Sequence, residues 1–171
     1  MEVREATPQD TQEACAVLRR SIIELCAADH GHDRRLLEAW LANKTPENFT
    51  VWMQRADASY LLAIDGGAIA AVGAVTYDGE ILLNYVSPHA RFLGASRLLL
   101  GALERRATER GATQCTLIST ETARRFYRAR GYQETGAPIR KFGMESGYPM
   151  AKALGPSACG ASPIAYSARK A

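Results

Sequence analysis

The segment from Arg91 to Ser96 combines the features of an anion-binding turn. It joins the apolar segment 81–86 to a helix-forming segment that runs to about Arg110. When a strand turns through a glycine such as Gly94 into a helix, the first backbone N–H groups of the helix have no internal partner. These donors and the positive end of the helix dipole favour a phosphate, and Arg91 adds a positive charge. The segment therefore predicts a site for a phosphorylated ligand.

The composition is that of a globular protein. The chain has 171 residues, of which 47% are hydrophobic and 23% charged, and this suits one domain with a substantial core. A net charge of +3 is too small to indicate nucleic acid or an anionic membrane as a partner. No apolar run approaches the roughly 20 residues that span a bilayer. The N-terminal residues also lack the pattern of a secretory leader, so we predict a cytoplasmic protein without a nucleic-acid or membrane partner.

The cysteines and histidines do not form a metal-binding pattern. No C-x-x-C pair is present, which favours reduced thiols in a cytosolic setting. The four cysteines are Cys15, Cys26, Cys115 and Cys159. His30-x-His32, flanked by Asp29 and Asp33, resembles a metal site in composition, but no further cluster completes the ligand set. We therefore predict no bound metal.

Strand-like and helix-like segments alternate along the chain. A short strand near residues 3–6 precedes a helix that begins at the N-cap Thr7, with Pro8 in the first helical position. A polar break at 29–33 ends this helix, and Asp65-Gly66-Gly67 marks a tight turn in a later strand meander. The remaining segments predicted as helices are 34–41, 45–53, 94–110 and 122–130, and those predicted as strands are 60–64, 69–77, 81–86, 113–118, a strand opened by Gly131, and 148–153.

This order predicts an α/β fold in a single domain over residues 1–153. Its sheet should be mixed, mostly antiparallel and six- to seven-stranded, with helices on both faces. Residues 154–171 are rich in Gly, Ala, Ser and Pro, so we predict a poorly ordered tail there.

Two motifs resemble those of the GNAT superfamily, the acyltransferases that use acetyl-coenzyme A to acylate amines. Val86-x-Pro88 followed by Arg91-x-x-Gly94-x-Ser96 is similar to the coenzyme-binding motif of that family. Residues 123–132 resemble its second motif, a helix that ends in Tyr-x-x-x-Gly-(Phe/Tyr). The order of strands and helices and the interval between the motifs agree as well. The resemblance covers roughly residues 1–153 and implies a GNAT-like fold with acetyl-CoA as the co-substrate.

The resemblance also implies where the coenzyme binds. The pyrophosphate would accept hydrogen bonds from the backbone of Phe92, Leu93, Gly94, Ala95 and Ser96. Strands 82–86 and 113–118 would separate, and backbone groups of Tyr85 and Val86 would then bind the pantetheine arm. Many family members place an asparagine at the start of the second motif. Here Thr120 or Thr122 would make that contact, or would instead cap the helix.

Tyr127 is the catalytic acid that the resemblance implies. A phenol beside the sulfur can protonate the thiolate that leaves when an amine attacks the thioester. Without the family, simple packing of Tyr127 with Phe126 against the sheet is the plainer interpretation. The base stays unassigned: Glu80 and Asn84 share strand parity with Val86. Solvation is the favoured explanation for Glu80, and Asn84 can orient a water but cannot act as a base.

We therefore predict an N-acetyltransferase that moves an acetyl group from acetyl-CoA to a primary amine by direct attack in a ternary complex. The acceptor would be a small-molecule or peptide amine, and we hypothesise that an acidic and imidazole-containing rim at 29–33 recruits it. A homodimer is compatible with the sequence. The alternative is a catalytically idle acyl-CoA-binding sensor module. A third interpretation is an RNA-binding domain that uses the basic helix face at Arg124, Arg125, Arg128 and Arg130.

Overall fold

The computed structural model describes residues 1–141 and 144–155, without the side chains of 141 and 144–146. The strands are β1 (Glu2–Glu5), β2 (Ala58–Asp65), β3 (Ala68–Thr76), β4 (Ile81–Val86), β5 (Gln114–Ser119), β6 (Gln133–Glu134), β7 (Ile139–Lys141) and β8 (Met144–Ala153). The helices are α1 (Thr11–Leu25), α2 (Ala27–His30), α3 (Arg34–Leu41), α4 (Pro46–Met53), α5 (Ala95–Glu109) and α6 (Glu121–Arg128). Short 3-10 turns at Pro8–Asp10 and Pro88–Ala90 lead toward α1 and α5.

The first sheet is antiparallel, with the strand order β1-β2-β3-β4. Its strands alternate between two apolar faces, and each face is covered by a helix. On one face, Val17 and Leu18 of α1 pack against Leu62 and Val72. On the other face, α5 packs its apolar stripe, which includes Leu103, into a second core cluster. Helices on both faces of a mixed fold are therefore confirmed.

The second sheet has the strand order β5-β8-β6, with β7 paired to the same strand β8. A parallel bridge between Glu80 and Thr116 joins it to the first sheet. The N–H of Thr116 donates to the carbonyl of Gly79 at 3.0 Å. Gly79 has φ +98°, and a Cβ at this position would lie 2.2 Å from the carbonyl oxygen of Gln114. Only glycine lets the two sheets approach this closely.

Most predicted segments lie where the pattern put them, and the N-cap at Thr7 is confirmed. Both its N–H and its hydroxyl donate to the Asp10 carboxylate at 2.8 Å. Two features were not predicted: strand β7, and the short helix α2, which extends into the expected polar break. The predicted tail falls mostly outside the described residues, although Leu154 still donates its N–H to Thr113 at 2.8 Å. Among the described residues, no helix is both long and apolar enough to cross a membrane.

Candidate active site

Strands β4 and β5 separate beyond the bridge at their beginning. β4 continues along β3, whereas β5 pairs with β8, so the facing edges of β4 and β5 part after Glu80 and Thr116. A cavity of about 410 Å³ opens between them. Its walls include Leu82–Val86 from one strand and Leu117–Ser119 from the other. The separation inferred for these two strands is thus present, and it creates a slot that runs into the molecule.

The turn before α5 lies at one end of this cavity. Gly94 is the N-cap of α5, with φ +88°, and no side chain caps the helix. The hydrogen bonds within the helix begin with the N–H of Leu98, which donates to the Gly94 carbonyl at 2.9 Å. The amides of residues 95–97 therefore have no partner inside the helix. A Cβ placed on Gly94 would meet no atom within 4 Å, so the turn faces open space.

Positive charge and an exposed ring flank the same turn. Arg91 and Arg97 both line the cavity. The Arg91 guanidinium lies 4.6 Å from the centre of the Phe92 ring, which is 90% exposed. Phe92 also has φ +65°, an uncommon conformation for a residue with a side chain. Unpaired amides, the helix dipole and two guanidinium groups make this end of the cavity a place for an anion.

Tyr127 lies further along the cavity, in the last turn of α6. It lines the wall while remaining only 6% exposed. Its ring packs edge-on against Phe126 at 5.2 Å and against Tyr132 at 5.5 Å, measured between ring centres. Burial raises the pKa of Tyr127 to about 12, while a hydrogen bond with the Asn84 side chain acts in the opposite direction. Tyr127 both packs against its neighbours and lines the cavity, so the packing interpretation does not exclude a functional role.

Asn84 is the polar group that β4 contributes to the cavity. Its Oδ1 is buried and has no hydrogen-bond partner among the described residues. Glu80 is exposed and lies outside the cavity wall, as solvation predicts. His89 is likewise exposed. No carboxylate side chain lines the cavity within the described part of the chain, so the structure assigns no base.

Helices near the N-terminus, which we expect from the sequence to shape the acceptor pocket, also line the cavity. The lining side chains in this region are Ser21, Leu25, Cys26 and Trp40. Trp40 is 1% exposed and packs in a small core cluster with Ile22, Cys26 and Tyr85. Burial raises the pKa of Tyr85, and a hydrogen bond with Trp40 opposes that rise. The apolar stripe of α1 predicts that Leu25 faces inward, but nothing local indicates that it faces a cavity.

Most residues predicted to bind the coenzyme lie together in this cavity. The lining includes Tyr85, Val86, Arg91, Phe92, Gly94, Ala95, Ser96 and Thr120, together with Tyr127. Leu93 is absent from the wall and is 62% exposed.

A sequence model of an acetyltransferase (GNAT) domain matches residues 13–154. The chain belongs to the GNAT family of acetyltransferases. A search of curated proteins gave no significant match.

Solved structures of GNAT proteins share the fold. A GCN5-related N-acetyltransferase from Rhodopseudomonas palustris is 26% identical, with 90% of this chain and 95% of that chain covered and a TM-score of 0.75. The PaiA N-acetyltransferase from Thermoplasma acidophilum, solved with coenzyme A, is 18% identical, with 90% and 98% covered and a TM-score of 0.75. A ribosomal-protein-alanine N-acetyltransferase from Brucella melitensis is 21% identical, with 90% and 100% covered and a TM-score of 0.69. At these identities the second and third comparisons show the fold alone.

This GNAT domain departs from the family pattern at the start of α6. Thr120 stands where many members have asparagine, and its hydroxyl accepts the N–H of Ala123 at 3.2 Å. Thr120 therefore caps the helix, one of the two roles left open by the sequence. Thr122 donates its hydroxyl to the Asp29 carboxylate at 2.5 Å. Both threonines also line the cavity.

Only part of the expected rim at 29–33 of this GNAT domain is exposed: His32 and Asp33 lie at the surface, whereas Asp29 and His30 do not. Asp29 and His30 are 8% and 2% exposed, so neither lies on a surface that could attract an amine. Asp33 caps α3, because its carboxylate accepts the N–H groups of Arg35 and Leu36 at 2.8 and 3.3 Å. The carboxylates are used for internal hydrogen bonds. Among the described residues, no group of three metal-ligating side chains is close enough to hold an ion.

Proposed function

We propose that this GNAT protein transfers an acetyl group from acetyl-CoA to a primary amine by direct attack in a ternary complex. The observation that carries the proposal is a single cavity that joins the open amides before α5 to the Tyr127 hydroxyl region. One end of this cavity suits a diphosphate, and the other holds a buried phenol beside an apolar compartment. A thioester that enters from the turn would therefore arrive at Tyr127.

The coenzyme would bind mainly through backbone groups. Its pyrophosphate would accept hydrogen bonds from the amides of residues 94–96, and Arg91 would add charge without fixing a direction. No side chain at Gly94 blocks the approach of the phosphates. Past the bridge at Glu80, the outer edge of β4 pairs with no strand in the described part of the chain, so backbone groups of Tyr85 and Val86 would pair with the amides of the pantetheine arm.

The reaction would proceed through one tetrahedral intermediate. A neutral amine forms a bond to the thioester carbon, and the carbonyl electrons move onto oxygen, where a backbone N–H of β4 stabilises them. The intermediate then collapses, the carbon–sulfur bond breaks, and the thiolate takes the proton of Tyr127. The nitrogen then passes its extra proton to the phenolate, directly or through a water, and this restores Tyr127. Asn84 Oδ1, which is buried and accepts no hydrogen bond within the described ranges, would accept an N–H of the amine and orient it.

The raised pKa of Tyr127 suits this proton transfer. A free thiol has a pKa near ~8.5 and a free phenol near ~10. Cys26 lines the same cavity, and burial raises the pKa of its thiol to about 12. A coenzyme thiolate in this environment would be shifted in the same direction, since desolvation penalises every anion. The phenol of Tyr127, with a pKa of about 12, would then be matched to the leaving group.

The cysteines support direct transfer. Cys26 has a strongly raised pKa, so at neutral pH it is a thiol and a poor nucleophile. Burial also raises the pKa of Cys115 to about 11, and this residue does not line the cavity. Neither therefore suits an acetyl-enzyme intermediate. The described cysteines are all free, which is compatible with the cytoplasmic location that we propose.

The decisive experiment measures release of coenzyme A from acetyl-CoA with a panel of primary amines, followed by comparison of two tyrosine variants. Tyr127→Phe should lower kcat about 100-fold, the lower end of what a positioned acid contributes, without changing the KM for acetyl-CoA. Tyr132→Phe is the matched control, because it removes a buried hydroxyl that donates to Glu104 at 3.1 Å outside the cavity. It should cost about 1 kcal/mol of stability and leave kcat within two-fold.

Tight binding of acetyl-CoA without turnover on any amine would instead indicate the idle sensor module. Equal activity of Tyr127→Phe and the wild-type protein would remove Tyr127 from the mechanism.

A further inference from the structure

The Asp29 carboxylate accepts hydrogen bonds from backbone amides at the beginning of α6. Asp29 lies in the four-residue helix α2 and is buried. Its carboxylate accepts the N–H of Glu121 at 2.7 Å and the N–H of Thr122 at 3.3 Å, besides the Thr122 hydroxyl at 2.5 Å. Thr120 pairs the third amide, that of Ala123. The first three amides of α6 are therefore all satisfied, and two of them are satisfied by a residue far away in the sequence.

The same helix carries Tyr127 at its other end. α6 has 8 residues, about two turns, so any tilt at its beginning moves the last turn as well. A buried carboxylate is well suited to hold a helix N-terminus, because it is attracted by the helix dipole and accepts several amides at once. The position of the Tyr127 hydroxyl therefore depends on Asp29.

Asp29 is connected to the proposed acceptor end of the cavity through the neighbouring helices. Helix α2 directly follows the end of α1, where Leu25 and Cys26 line the wall. α2 also packs against α3, which contributes Trp40. Asp29 itself is not part of the wall. Its contacts thus tie the helices that enclose the acceptor to the helix that holds the phenol.

We infer that Asp29 is a positioning residue, which sets the Tyr127 hydroxyl against the reacting thioester by clamping α6 to the acceptor-side helices. The inference rests on the proposed role of Tyr127. A displacement of about 1 Å in a catalytic group can reduce a rate by up to ~100-fold, so a modest shift of α6 is sufficient for a measurable effect.

The first test compares Asp29→Asn with Asp33→Asn. Asp33 offers a matched control, because it also pairs two amides at a helix beginning, at 2.8 and 3.3 Å, but its helix does not carry Tyr127. Asp29→Asn should lower kcat about tenfold and leave the KM for acetyl-CoA unchanged. Asp33→Asn should leave kcat within two-fold. Equal kcat values in the two variants would overturn the inference.

A double-mutant cycle separates positioning from general destabilisation. If Asp29 acts through Tyr127, Asp29→Asn should cause no further loss of kcat in the Tyr127→Phe background. Independent, multiplying losses would show that Asp29 acts elsewhere. Should Asp29→Asn fail to fold, Thr122→Val removes only the hydroxyl contact at 2.5 Å and should give a smaller loss with the same non-additivity.

A readout without turnover keeps this inference distinct from the proposed function. In protein labelled with fluorotyrosine, the ¹⁹F resonance of Tyr127 is assigned by its absence in Tyr127→Phe. It should shift in Asp29→Asn and stay in place in Asp33→Asn. An unchanged resonance in Asp29→Asn would overturn the clamp whether or not the protein is active. Absence of turnover with a shifted resonance would instead count against the proposed function alone.

Discussion

The two halves of the cavity are built in different ways. The coenzyme half, named for the ligand that we propose there, is one continuous segment from Val86 through the turn to Ser96, and it presents mainly backbone amides. The acceptor half, where we propose that the amine binds, is assembled from side chains on separate helices: Ser21, Leu25 and Cys26 at the end of α1, and Trp40 on α3. Backbone conformation thus forms one half, and tertiary packing forms the other.

This difference explains what each half can recognise. A diphosphate is the same in every reaction of the enzyme, so fixed amides at a helix beginning suit it. An acceptor is recognised by the shape and polarity of the compartment that side chains enclose. A change at the turn should therefore affect only the coenzyme, and a change at the helices should affect only the acceptor.

The largest effect should follow from Gly94→Ala. A Cβ at φ +88° strains the turn by roughly 1–2 kcal/mol and projects into the space that the phosphates need. Weakening one hydrogen bond to a charged group by about 1.5–3 kcal/mol corresponds to a KM for acetyl-CoA that rises about 10- to 100-fold. Steady-state kinetics with acetyl-CoA as the varied substrate measures this rise.

Gly67→Ala is the control for strain alone. Gly67 lies in the turn between β2 and β3, with φ +85° and no atom within 4 Å of an added Cβ. The Gly67→Ala variant should lose about as much stability as Gly94→Ala, while its KM for acetyl-CoA stays that of the wild-type protein. Equal KM values in the two variants would place the phosphates elsewhere.

The coenzyme half could be predicted from the sequence because its determinants are local. Gly94 sits between an apolar strand and an apolar-striped helix, and this pattern alone specifies a turn with open amides. Tyr127 required the family resemblance, since a tyrosine beside Phe126 on a helix equally indicates packing. The structure shows that it packs and also lines the cavity.

The acceptor half could not be predicted because its contacts are distant in sequence. Asp29 appeared to belong to a polar break, yet its partner amides lie on α6. Strand β7 was missed for a related reason: its three residues include one apolar side chain, and only pairing with β8 makes it a strand. In such segments the tertiary partner decides the local structure.

Trp40→Phe should have an intermediate effect, confined to the acceptor. It removes the indole that packs beside Tyr85 and leaves a smaller ring in a fully buried position. A loss of about 1 kcal/mol in binding corresponds to a KM for the amine about five-fold higher. The KM for acetyl-CoA should not change.

Phe49→Leu provides the matched control for Trp40→Phe. Phe49 is fully buried in the core beneath α1 and lies outside the cavity wall. The Phe49→Leu variant should be destabilised by about 1–2 kcal/mol, with the KM values for acetyl-CoA and for the amine both unchanged. If Trp40→Phe raised the KM for acetyl-CoA instead, the division of the cavity into two halves would be wrong.

The smallest effect should follow from Cys26→Ala. This variant tests whether the acceptor half contains a nucleophile or only encloses the acceptor. With a pKa of about 12, Cys26 would be ionised to only about one part in a thousand even at pH 9. The thiol therefore cannot carry the acetyl group at a useful rate, and kcat should stay within two-fold between pH 7 and 9. Mass spectrometry after incubation with acetyl-CoA alone should find no acetylated Cys26. A stable adduct that disappears on addition of the amine, together with a large loss of kcat in Cys26→Ala, would mean that the acceptor half contains a nucleophile.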